Sequence, residues 1–244
     1  MSFIVVIPAR YASTRLPGKA LADIAGKTMI EHVVDRANES DAKRVIVATD
    51  DSRIQAALAA ADCEVCLTRS DHESGSDRLA EVVDTLGIAD DEVVVNVQGD
   101  EPLIPGKLIN QVASALMAAK AAVMSTAAKA INSEQDLNNP NVVKVVFAQN
   151  GRALYFSRSA IPFARDKRVA SAWHHIGISA YRCGFLKDYQ TLKSSPIEQT
   201  ESLEQLRVLD NGYDIMVEPI DYDTGIGVDT PADLQKVKAL FDNC

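Results

Sequence analysis

The chain has only four cysteines, Cys63, Cys66, Cys183 and Cys244, too few and too scattered for a disulfide framework. At 244 residues it can bury a core without such staples. No apolar run approaches the roughly 20 residues of a membrane helix. The first apolar stretch, residues 3–7, stops at Pro8 and is too short for a secretion signal. A cytoplasmic protein without a membrane partner is expected. Also missing are the G-x-G-x-x-G of a dinucleotide site, a Walker loop, and the nucleophile elbow of a serine hydrolase. Internal repeats and low-complexity segments are absent as well. The net charge of −9 argues against a broad basic face for nucleic acid. One local absence is more pointed. Acids are 34 of 244 residues, about one in seven, yet none precedes Asp23. That same stretch carries Arg10, Arg15 and Lys19, a cationic cluster suited to a small anionic ligand.

What is present is a rhythm of short Val/Ile-rich runs alternating with helix-period segments. Runs at residues 3–7, 45–47, 64–68 and 92–97 read as strands. Between and after them, helical spacing places Ile30, Val33, Val34 and Ala37 on one face, then Leu108, Ile109, Val112 and Leu116 on another. Segments near 51–61 and 77–86 read as further helices. The class is α/β: a mostly parallel sheet with helices on both faces. Near residue 140 the pattern changes. Residues 142–147 and 153–156 flank Asn150-Gly151 and predict an antiparallel hairpin. Residues 159–173 read as a loop and 176–181 as a strand. A helix is expected over 198–209, stopping at Asn211-Gly212. A strand at 215–220 leads to a last helix with Thr230 as cap, Pro231 in its first turn and Asp233 three residues after the cap.

The loop P-A-R-Y-A-S-T-R-L-P-G-K, residues 8–19, follows the first strand directly. Ligands of parallel α/β sheets bind beyond the carboxyl ends of the strands. Three cations plus Ser13 and Thr14 suit a polyphosphate there. Its bland alternative is a solvated loop. In N-V-Q-G-D-E-P, residues 96–102, a strand ends in a carboxylate, and Gly99 permits close approach of a ligand. Asp100 there is a natural magnesium ligand, or else simply turns the chain. Asp229 is a second candidate ligand that could equally belong to the helix cap. Cys63-x-x-Cys66 reads as packing, and His32 and His72 as surface or helix-face residues. His174-His175 begins a strand and could face the site. The segment from Ser74 to Arg78 could donate to a base or sugar, or cap a helix.

Taken together, these motifs, with V-A-T-D (47–50), S-G-S-D-R-L-A-E-V-V (74–83), A-L-Y-F-S-R (153–158), L-E-Q-L-R (203–207) and G-V-D-T-P (227–231), resemble the 3-deoxy-manno-octulosonate cytidylyltransferases. Those enzymes activate the sugar acid Kdo as CMP-Kdo for lipopolysaccharide. The resemblance implies a glycosyltransferase-A-like nucleotidyltransferase domain over 1–244, with residues of about 140–215 serving sugar binding and dimerisation. It implies a homodimer, a magnesium-dependent reaction, and CTP and a Kdo-like acid as substrates. By the same resemblance Arg10, Ser13 and Lys19 hold the triphosphate, and Ser74 and Gly75 place the cytidine. Asp100 and Asp229 bind magnesium, while Arg78, Gln98, His175, Glu204 and Gln205 contact the sugar acid. Arg10, Lys19 and Asp100 form the catalytic set. The chain departs from the family where arginine and tyrosine are usual, at His174 and Ser179. It also departs at I-P-F-A-R-D (161–166), in place of I-P-W-D-R-D, and in a short loop thereafter. All of these fall on the sugar side, so the acid is Kdo or an analogue such as an amino-substituted Kdo. A nucleotide or sugar-acid binder without activity is the alternative of a different class.

Overall fold

In the computed structural model, residues 2–12, 16–72, 75–165 and 172–242 are described. Strand β1 (Ile4–Ala9) is buried nearly throughout, as a parallel strand covered on both faces must be. A 3₁₀ turn (Lys19–Leu21) and the tiny hairpin β2 (Asp23–Ile24) and β3 (Lys27–Thr28) follow. Ala25 and Gly26 turn that hairpin with positive φ. Helix α1 (Met29–Asn38) starts with a capping box in which Thr28 and Glu31 satisfy each other's backbone N–H. Then come β4 (Arg44–Thr49), α2 (Ser52–Ala57), β5 (Glu64–Leu67), α3 (Gly75–Thr85), β6 (Val93–Asn96) and α4 (Gly106–Ala118). The second half contains β7 (Met124–Ala130), α5 (Glu134–Asn138), β8 (Lys144–Phe147), β9 (Ala153–Ser157) and β10 (Trp173–Arg182). It closes with α6 (Cys183–Tyr189), α7 (Pro196–Glu201), α8 (Gln205–Asp210), β11 (Ile215–Ile220) and α9 (Pro231–Phe241).

The main sheet runs β11-β7-β10-β6-β1-β4-β5. Six of these seven strands point one way and β10 runs against them, pairing antiparallel with β6 and β7. The β8–β9 hairpin attaches to β10, with Gly151 in its turn at φ +83°. Residues alternating along β1 divide the core. Val5 and Ile7 pack with α1 and α4 through Ile30, Val33, Leu108 and Val112. Ile4 and Val6 pack on the other face with Leu79, Val83, Phe156 and Leu206. Apolar burial on both faces fixes the register, because a one-residue slip would exchange the two sets.

Three sequence readings change. The helix expected over 198–209 is two short helices, since Ser202 at φ 52° breaks the chain between α7 and α8. Strand β7, with the sequence MSTAAKA, carries no strand signal of its own; burial between β10 and β11 makes it one. Strand β10 begins at Trp173, three residues before the predicted start, because β8 is there to pair with it. The last helix matches its predicted start, with Thr230 and Asp233 forming the capping box. No described helix is long and apolar enough to cross a membrane.

Candidate active site

The strand order reverses between β1 and β6, where the connections leave to opposite sides, and a crevice opens at such a switch point. Arg10 leaves the end of β1, and Asp100 lies four residues beyond the end of β6. Gly99 is needed here for the chain's own packing. A Cβ would stand 2.8 Å from the Pro8 carbonyl oxygen, so it is the chain's own backbone that approaches. Gly18, at φ +69°, returns the cationic loop by donating its N–H to Tyr11 O at 3.0 Å. The turn delivers Lys19 to the crevice.

Lys19 Nζ donates to Asp100 Oδ2 at 2.5 Å and to the Val228 carbonyl oxygen at 3.2 Å, and lies 3.6 Å from Asp229 Oδ1. Both candidate carboxylates therefore converge on one positive charge. The helix cap is made by Thr230 and Asp233, so Asp229 stands one residue outside it. Val228 is buried with Ile24, Met29 and Val237, and its N–H bonds Asp100 O at 2.8 Å. Beside this group, Glu101 is partly buried, and its carboxyl is pushed up to about 7 by burial and then by Asp100 and Asp229. Two carboxylates aimed at one cation form an oxygen donor set of the kind magnesium takes when phosphate oxygens and water complete its shell. No group of three His, Cys, Asp or Glu among the described residues forms a ready-made cage, so a metal there would need such outside oxygens.

Arg78, on α3, is fully buried. Its guanidinium donates to Thr68 Oγ1 and, at 3.2 Å, to Asp50 Oδ2, while Nε has no partner among the described residues. Burial lowers its pKa, and nearby Arg10 lowers it further. Arg10 follows the end of β1, and Asp50 and Thr68, the partners of Arg78, follow the ends of β4 and β5. Gly75 opens α3, and a Cβ there would stand 3.8 Å from Asn96 Nδ2. Ser76 Oγ donates to Glu204 Oε2 at 3.0 Å, and Tyr181, whose hydroxyl is pushed up to about 12 by burial and then by Glu204, is buried beside them. Gln205 starts α8 next to Glu204. Ser13 and Ser74 lie outside the described residues.

The residues expected on the sugar side divide between two faces of β10. His174 lines a cavity of about 260 Å³ together with Gln98, Glu101, Ile176 and Gly227. His175 turns to the opposite face, edge-on to Phe156. The Thr126 hydroxyl donates to Ile178 O at 2.7 Å and so accepts from His175 Nε2 at 2.8 Å, filling an irregularity where β10 shifts register against β7. Burial pushes His175 down to about 3, so it is neutral. Sequence reading missed Glu101, whose only signal is its place beside Asp100, and the Arg78–Asp50 pair. His32 is a helix-face residue of α1 as expected, buried with its Nε2 bonding Ile24 O at 2.8 Å, whereas His72 is buried rather than on the surface and pairs with Glu81. Cys63 and Cys66 are free thiols that pack on the two core layers.

The cytidylyltransferase family pattern matches residues 4–215. The chain is an enzyme of that class, a nucleotidyltransferase. Two relatives named 3-deoxy-manno-octulosonate cytidylyltransferase are similar from end to end. The one from Yersinia enterocolitica is 54% identical and the one from Aeromonas hydrophila 56%, each over 100% of both chains. A solved CMP:2-keto-3-deoxy-manno-octonic acid synthetase complexed with CTP superposes at TM-score 0.94 with 44% identity, over 100% of this chain and 99% of that one. A Leptospira borgpetersenii cytidylyltransferase, 16% identical at TM-score 0.68, shares the fold. The chain belongs to the 3-deoxy-manno-octulosonate cytidylyltransferase family.

Proposed function

We propose that the protein joins CTP to Kdo or a close analogue, giving the CMP-sugar acid and pyrophosphate for lipopolysaccharide assembly. The observation that carries this reading is the convergence of Lys19, Asp100 and Asp229 at the switch point. The anomeric hydroxyl of the sugar acid attacks the α-phosphorus of CTP. The new O–P bond forms as the bond to pyrophosphate breaks, and the hydroxyl proton leaves to solvent. Such a transfer needs position and charge neutralisation, with no covalent protein intermediate.

In this reading Arg10, Ser13 and Lys19 hold the triphosphate, with Arg10 and Lys19 neutralising charge that grows on pyrophosphate. Ser74 and Gly75 place the cytidine. Asp100 and Asp229 hold magnesium, which when bound would neutralise phosphate charge and lower the pKa of the attacking hydroxyl. Arg78, Gln98, His175, Glu204 and Gln205 form the sugar-acid side. Burial keeps Arg78 away from bulk water, where its attraction for a nearby anionic group is stronger than it would be in solvent. The chain acts as one domain, in a cytoplasmic homodimer, with residues of about 140–215 as the sugar and dimer element. Buried Ser179, where the family resemblance leads one to expect tyrosine, favours a shifted sugar preference.

Pyrophosphate release is the test. It should require CTP, magnesium and a Kdo-like acid together, and should stop when any one is left out. Turnover indifferent to the sugar acid would overturn the assignment, and binding of CTP and acid without release would leave a silent binding protein.

A further inference from the structure

The chain beyond β11 returns to the crevice through residues 224–229, and it lies very close to the turn after β6. Gly225, at φ +86°, has no room for a side chain: a Cβ would meet Leu103 Cβ at 2.7 Å and Leu103 O at 2.8 Å. Two residues on, a Cβ at Gly227 would stand 2.7 Å from Glu101 Oε1 and 3.2 Å from its Cδ. Next, Val228 N–H bonds Asp100 O at 2.8 Å, and Asp229 follows. Glu101 therefore lies flat on the one residue in this stretch whose missing side chain makes room for it. Glu101 and Gly227 both line the cavity of about 260 Å³, so their contact forms part of its wall.

We propose that Glu101 is a positioning residue: its side chain, resting on Gly227, sets the spacing between Asp100 and Asp229 and so shapes the site for the metal–nucleotide complex. This rests on the reading that those two aspartates hold the metal. Asp100 lies on the same turn as Glu101, and Asp229 lies two residues past the glycine that Glu101 touches. Deleting the side chain leaves the 224–229 segment resting on a void, free to shift toward the cavity. Adding a methyl at Gly227 drives the carboxyl off its seat from the other side. The two changes act on one contact, so their effects should not add.

The experiment measures Mn²⁺ binding by electron paramagnetic resonance in the presence of CTP, together with melting temperature and steady-state kinetics. The proteins are wild type, Asp100→Asn, Glu101→Ala, Glu101→Gln, Gly227→Ala and the Gly227→Ala/Glu101→Ala double variant. Asp100→Asn tests the underlying reading: unchanged Mn²⁺ binding there would remove the metal site itself. With that site established, Glu101→Ala should weaken Mn²⁺ binding about 10- to 100-fold, as loss of a supporting residue does. Glu101→Gln, which keeps the shape, should bind within about twofold of wild type, a small fraction of that loss. The double variant should be no weaker than the worse single one. Wild-type binding by Glu101→Ala would overturn the proposal. Equal loss in Glu101→Gln would show that charge and not shape matters, and would overturn it as well. Additive losses in the double variant would deny the contact. If Gly227→Ala fails to fold, the Ala and Gln variants of Glu101 decide alone.

Discussion

Lys19 and Asp100 lie 81 positions apart and meet in a 2.5 Å ion pair at the point where the sheet reverses its strand order. The lysine comes off the loop after β1 and the aspartate off the turn after β6. Neighbouring parallel strands bring the two together, and Gly99 lets the turns touch. The same ammonium reaches Asp229, which α9 and its capping box deliver from the far end of the chain. A positively charged side chain that already neutralises both carboxylates is poised to face phosphate charge once a cation takes over that task.

Lys19→Ala should lower kcat about 10²–10³-fold, the usual loss for one electrostatic donor in a reaction of this kind. Its melting temperature should stay nearly unchanged, because the side chain is outside the apolar core. Steady-state pyrophosphate release and a thermal melt check the two halves. Wild-type kinetics would make this lysine idle.

Ser179→Tyr should redistribute efficiency among sugar acids. Ser179 is buried opposite Asn96, so a ring there changes the space on this face. The ratio of kcat/KM between Kdo and an analogue should move at least about tenfold, within the range that pocket contacts supply. The KM for CTP should hardly move. A change confined to CTP would place Ser179 on the wrong side of the site.

Buried His175 should make the fold sensitive to mild acid. Its folded pKa of about 3 lies below the ordinary 6.5, so between those values the unfolded chain binds a proton that the folded chain refuses. Stability is therefore full above 6.5 and falls as pH drops toward 3. At about pH 5 the loss from this group is about 2 kcal/mol. His174 is lowered by burial too, and adds with the same sign. Denaturant unfolding at about pH 7.5 and about pH 5 should show that loss, and His175→Gln should remove most of it. An unaltered pH slope in the variant would assign the effect to other groups.

Much of the fold was legible because apolar periodicity is a local property of the chain. Val5 and Ile7 against Ile4 and Val6 already encode a strand covered on both faces, and Thr230-Pro231 with Asp233 encodes a helix start. MSTAAKA does not encode β7 in that way. Its small residues have no strong preference, and only the slot between β10 and β11 makes it a strand. The break at Ser202 was equally invisible, because backbone conformation there follows from how α7 and α8 pack and not from a glycine.

The sequence by itself determined the chemistry on offer: an acid-free cationic loop, carboxylates at strand and helix ends, and motifs specific enough to indicate the family. Tertiary structure decided which of those groups meet. Strand pairing joined Lys19 to Asp100 and Asp229, the packing on each side of β10 put His174 beside a cavity and His175 against Phe156, and packing of α3 buried Arg78 against Asp50. Residue types fix charge and hydrogen-bonding capacity, but distances across 81 or more positions arise only when two faces of one sheet are closed by their helices.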